Sequence, residues 1–139
     1  MKDTKTITKL INDLELQFEH GTVDENMEFF EITIDESEGL NVSGLLYEAE
    51  EGAAFRLLAY MDELDEDHAL DQLSLLMALN GELPIGAFCM DPEEQIIYST
   101  VNLPVSDLTA ELLSWLLEYV FAVQDFYYQE YATVDEGEN

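Results

Sequence analysis

The sequence predicts an α+β domain: three helices packed with a five-stranded, mainly antiparallel sheet, in the order α-β-β-β-α-β-β-α. Three observations carry this. Apolar residues recur at helical spacing near the N-terminus, around Leu76 and toward the C-terminus. The β-branched and aromatic runs between them are joined by turns of a few residues, which favours antiparallel neighbours. Helices and strands do not strictly alternate, so a parallel doubly wound sheet is not expected.

The first helix is expected from about Thr4 to His20. Ile7, Leu10, Ile11, Leu14 and Phe18 fall on one stripe, with Lys2, Lys5 and Lys9 opposite. Asp3 or Thr4 is placed to cap it and Gly21 to end it. A three-stranded meander follows, at about residues 28–34, 40–49 and 53–61. Its turns are Asp35-Glu36-Ser37-Glu38-Gly39 and Glu50-Glu51-Gly52. An acidic connector, Asp62 to Asp67, supplies caps for a second helix that ends near Asn80. Leu70, Leu73, Leu76 and Met77 lie on one side of that helix, and Gly81 provides a left-handed stop.

A second hairpin pairs Ile85–Met90 with Gln95–Val101 through Asp91-Pro92-Glu93-Glu94, a type I turn with Asp at i and Pro at i+1. Pro104 breaks the chain, and Ser106 or Thr109 caps a third helix to about Tyr131. Residues 1–132 are expected to form a single domain, with 133–139 a flexible acidic tail.

Charge is the abnormal quantity. The chain has 139 residues, of which 47% are apolar, yet 32 Asp and Glu face four Lys and Arg, a formal net charge of −28. Nucleic-acid phosphates and anionic membranes would repel it, so neither is expected as a partner. Three readings remain: solubility, a docking surface for basic partners, or mimicry of DNA. The acids cluster in turns, which favours the first. No apolar run is long enough to span a membrane, and the N-terminus lacks the apolar core of a signal peptide. Cys89 is the only cysteine, which suits a reducing, cytoplasmic setting.

Apolar surface is in excess. In the third strand, from Phe55 to Met61, only Arg56 is charged, and both faces are apolar. The apolar positions of the third helix spread over roughly 220° of arc at about 100° per residue, whereas one sheet face needs a stripe of little more than about 100°. The other two helices, a second subunit or a client must cover the rest. Leu58, Tyr60, Trp115, Tyr119 and Phe126 are the candidate partner or dimer surface, so the expected partners are a protein client and a second copy of the chain.

Catalytic chemistry is not visible. Cys89 lies mid-strand between Phe88 and Met90, where a small buried hydrophobe is expected. His20 suits a helix C-terminus, and neither it nor His68 has the spacing of a zinc ligand set. Counted from Asp35 or from Asp62, the glycine and glutamate of a calcium loop are missing. No glycine-rich phosphate loop is present. No catalytic residue, cofactor or metal is therefore assigned. Arg56, the only arginine, is expected to pair with a cross-strand carboxylate such as Glu48.

The segment Leu75-Leu76-Met77-Ala78-Leu79-Asn80-Gly81-Glu82-Leu83-Pro84-Ile85-Gly86-Ala87-Phe88-Cys89-Met90-Asp91 resembles the YbjN family, whose members carry a leucine-rich helix end with Asn, then Leu-Pro-x-Gly-Ala-Phe, then a turn Asp. Val101-Asn102-Leu103-Pro104, Leu108-Thr109-Ala110-Glu111-Leu112-Leu113 and Phe126-Tyr127-Tyr128 extend the resemblance. The element order is also similar to that of class I type III secretion chaperones, small acidic proteins, usually dimeric, that bind extended segments of secreted effectors. The YbjN family is described as one of sensory-transduction regulators. The resemblance implies a chaperone-like, non-enzymatic protein-binding module, with a dedicated secretion chaperone and an acidic DNA-mimic inhibitor as the narrower alternatives.

Overall fold

The computed structural model describes residues 3–137, with side chains through Tyr131. The elements are α1 (Thr4–Asp13), β1 (Gln17–Asp24), β2 (Met27–Asp35), β3 (Leu40–Ala49), β4 (Gly52–Glu63), α2 (Ala69–Asn80), β5 (Ala87–Asp91), β6 (Ile96–Pro104) and α3 (Ala110–Gly137). Single 3₁₀ turns at Glu66–His68 and Val105–Asp107 lead into the last two helices. The sheet has six strands, not five, in the order β1-β2-β3-β4-β6-β5, and every pairing is antiparallel.

The additional strand is β1, which the sequence reading folds into the first helix. The helix ends early because the chain turns into a Schellman motif at Leu14. Glu15 takes a left-handed φ of 59°. Its N–H bonds Asn12 O at 2.9 Å, and the Leu16 N–H bonds Ile11 O at 3.3 Å, satisfying carbonyls the helix end would leave open. Leu16 then packs on the same core as Ile11. Gly21, expected as the stop, sits inside β1 opposite Phe29.

The turns show what many of the acids do. Asp24 accepts the Asn26 N–H, Asp35 the N–H and hydroxyl of Ser37, and Asp91 the N–H groups of Glu93 and Glu94. These are local carboxylate turns. At the β4–β6 bulge, between Tyr60 and Asp62, the β4 carbonyls are taken up by α3. Gln124 donates to Ala59 O and Tyr60 O, and the Tyr128 hydroxyl donates to Met61 O at 3.0 Å. Thr109, not Ser106, caps α3, accepting the Leu112 N–H. Gly81 is right-handed, at φ −71°, so α2 ends without the expected left-handed stop.

All three helices pack on one side of the sheet. Ile7 and Ile11 of α1 and Leu113, Leu116, Leu117 and Val120 of α3 bury the inner side chains of β2, β3, β4 and β6, such as Phe30, Val42, Leu57 and Val101. Leu76 and Leu79 of α2, with Val123 and Tyr127, cover Met61, Phe88 and Ile97. The inner face of α2 is therefore Gln72, Leu76 and Leu79, whereas Leu70 and Met77, expected beside Leu76, point outward. The wide apolar arc of α3 is largely used here: Leu112 and Phe121 reach the cluster beside α1, and Tyr119, Phe126 and Tyr131 the cluster beside α2. The helix continues to Gly137, so residues 133–137 of the expected tail are helical backbone, and 138–139 lie outside the described residues.

Candidate functional site

With the helices on one side, the other side of the sheet has no helix among the described residues. Register fixes which side chains stand there. Phe29 faces Leu45, Leu45 faces Arg56, and Arg56 faces Asn102, one row across β2, β3, β4 and β6. The next row runs from Glu19 through Glu31, Ser43 and Leu58 to Thr100. A third pairs Tyr60 with Tyr98 and Tyr98 with Cys89, and Tyr47 stands opposite Ala54. The face is aromatic and aliphatic at its centre, with Tyr60 55% and Phe29 37% exposed.

Two devices stiffen it. Phe29 lies over Gly21 in β1, where a Cβ would collide with the ring, so the aromatic covers a glycine near the sheet edge. The Arg56 Nε–H donates to Thr100 Oγ1 at 2.9 Å, and the Thr100 hydroxyl donates to Leu57 O at 2.8 Å. That bond replaces the expected Arg56–Glu48 pair. Glu48 is opposite Ala53 and Arg56 opposite Leu45, an odd offset that puts the two on opposite faces. Cys89 lies beside Arg56: burial pushes its thiol up, and the neighbouring guanidinium only partly opposes this.

The predicted surface residues do not converge. Leu58 and Tyr60 belong to this open face. Trp115 and Tyr119 are on α3, stacked with ring centroids 5.0 Å apart, and the Tyr119 hydroxyl donates to Ile85 O. Trp115 is half exposed; Phe126 is partly buried against the α2 cluster. Leu45, Tyr47, Phe29 and Tyr98 were missed, although each alternates with inward residues in its own strand. A separate apolar notch of about 250 Å³ lies between the end of α1 and α3, lined by Leu14, Leu16, Ile34, Leu117 and Phe121.

On the helix side and in the connector, titratable groups are displaced for local reasons. Glu28 is 6% exposed, at the inner face of β2. It accepts from the Thr4 hydroxyl and from His20 Nε2, so Thr4 reaches the sheet instead of capping α1, and His20 serves a strand instead of a helix end. Burial raises the Glu28 carboxyl, but the Thr4 and His20 bonds outweigh it and hold it below the usual value. His68 bonds Asp65, which is likewise lowered. Among the described residues no three His, Cys, Asp or Glu side chains gather closely enough to hold a metal ion, and no helix is long and apolar enough to cross a membrane.

No family model matches the chain, and no curated protein matches it in sequence. Solved structures do share its fold. YbjN from E. coli superposes with a TM-score of 0.58 at 15% identity, over 94% of this chain and 92% of that one. A chain of the HopA1–SchA chaperone–effector complex superposes with a TM-score of 0.55 at 12% identity, over 86% and 87%. The resemblance read from the sequence holds for the fold.

Proposed function

We propose that the protein is a non-enzymatic, chaperone-like or regulatory module of the cytoplasm that binds a protein segment on the helix-free face of its sheet. One observation carries this: the face presents Phe29, Leu45, Tyr47, Leu58, Tyr60 and Tyr98 with no helix against them. Contiguous exposed apolar surface on a soluble domain marks a binding site. The fold shared with a chain of a chaperone–effector complex supports the same reading. The carboxylates argue against DNA mimicry, since Asp24, Asp35, Asp65 and Asp91 are spent on turn and 3₁₀ N–H groups.

A photo-crosslinking residue at Tyr60 or Tyr98 should capture a partner in cells, and the same residue at Lys5 or Glu111 on the helix side should not. Equal capture from both sides, or none from the sheet, overturns the reading. A dedicated secretion chaperone is its narrower form and requires a neighbouring effector gene.

A second reading concerns self-association. Leu70 and Met77 are 79% and 77% exposed, and Asp71 is the only acid in α2. The stretch from Leu70 to Met77 thus carries one carboxylate beside two exposed apolar side chains, which limits the repulsion that two copies of a chain of net charge −28 would meet there. A homodimer through α2 should be reduced to monomer mass in light scattering by Leu70→Asp with Met77→Asp; an unchanged mass removes this interface.

A further inference from the structure

We infer that the segment bound by the helix-free face carries lysine or arginine on either side of its apolar side chains. This rests on the protein-binding reading above and names the chemistry of the partner. The apolar centre of the face is bracketed by carboxylates that no ion pair among the described residues neutralises. On the β1 side, Glu19 and Glu31 stand directly opposite each other on this face. Like charges in direct cross-strand register oppose pairing. Glu31 accepts the Ser43 hydroxyl at 2.8 Å, a bond that holds the carboxylate in place without neutralising it. On the β5 side, Asp91 stands opposite Ile96, two residues along β6 from Tyr98 and on the same face, so it lies at the other end of the apolar patch; its charge adds to burial in pushing the Tyr98 phenol up.

The chain has little to answer them with. Lys5 and Lys9 belong to α1, in the helix layer. Among the described residues Arg56 is the one lysine or arginine on the face, and its Nε–H is committed to Thr100. A basic segment would neutralise both ends while its apolar residues cover Phe29, Leu45 and Leu58. A second copy is the poorer occupant: it would bring another net charge of −28 against the same carboxylates. The long-range field also speeds encounter with cations, and the apolar centre selects among them.

The test uses the full chain and three synthetic peptides in which leucines alternate with lysine, glutamine or glutamate, followed by fluorescence anisotropy. The lysine peptide should bind roughly tenfold tighter than the glutamine peptide at low salt, and the glutamate peptide should not bind. Glu19→Gln with Glu31→Gln should weaken the lysine peptide several-fold and flatten its salt dependence. Glu111→Gln with Asp125→Gln, on exposed positions of α3, removes the same charge and should change little. Leu45→Ser with Leu58→Ser should weaken both the lysine and glutamine peptides, with thermal melts of every variant recorded alongside. If glutamine binds as well as lysine, the basic-partner inference falls and the protein-binding reading stands. If the α3 pair matters as much as the face pair, the attraction is diffuse and the inference also falls. If no peptide binds, both fall.

Discussion

Gly86 begins the approach to β5 with φ +74°, and a Cβ there would stand 2.5 Å from the Thr100 carbonyl oxygen. Backbone cannot yield as a side chain can, so Gly86→Ala should cost about 2 kcal/mol or more in urea unfolding. Gly39 is the comparison: its φ is +66° but nothing lies within 4 Å, so alanine there should cost only about 1 kcal/mol. Equal costs would refute the role given to the Thr100 carbonyl. Asn80, from the same recognisable segment, accepts the Phe88 N–H at 2.6 Å and donates to Phe88 O at 3.1 Å. The sequence displays both residues plainly; their reasons lie in β6 and β5, which no local pattern reveals. Glu28 has a local signal, since it alternates with Phe30 and Ile32 and so belongs on the inner face. Its lowered carboxyl contributes stability above the unfolded value near 4.5, and that stability is lost as pH falls through the lower folded value. Asp35 and Asp65, lowered chiefly by Ser37 and His68, act the same way below their ordinary 3.8. Thermal melts taken on acidification through this window should show a shallower loss for Glu28→Gln than for the native chain. Parallel curves would remove Glu28 from the linkage.

Among the elements, β2, β3, β4 and the β5–β6 hairpin were legible because period and turn chemistry agree in each; α2 was legible as a helix, but not in its inner face or its stop. β1 was not. Phe18 continues the helical stripe of α1, so the 3.6-residue period runs past the true end. Phe18 and His20 instead lie two apart on one strand face, with ring centroids 5.9 and 4.7 Å from Phe30. The period of two was present in the sequence but only three residues long. The stop was hidden because Glu15, not glycine, occupies the left-handed position. Glycine carries no Cβ cost there, so Glu15→Gly should raise stability by about 1 kcal/mol, read as a higher urea midpoint at unchanged slope. A lower midpoint would mean that the Glu15 side chain makes a contact that matters more. The open sheet face was legible only in part, through the two-sided apolar character of β4. Which face the helices would choose depends on how three of them share one layer, and that is a property of the assembled core.

For the whole molecule, self-repulsion is the dominant long-range force. With 32 acids against four bases, screening should stabilise the fold. The melting temperature should rise steadily as sodium chloride goes from about 0.05 to about 0.5 M, where the Debye length shrinks well below its value of about 10 Å at 0.1 M. A flat or falling curve would show that ordered local contacts of the carboxylates, such as Glu28 with Thr4 and His20, outweigh the net charge. The clamp of Asn80 on Phe88 has a further effect at this scale. Phe88 lies opposite Ser99 in β6, and its own N–H and C=O turn away toward the Asn80 amide. One rim of the six-stranded sheet is thus plugged at its midpoint by a side chain imitating a peptide, while β1 bears no such plug among the described residues. A ribbon with one rim blocked cannot be lengthened at that end, so any strand added to this sheet would have to pair along β1.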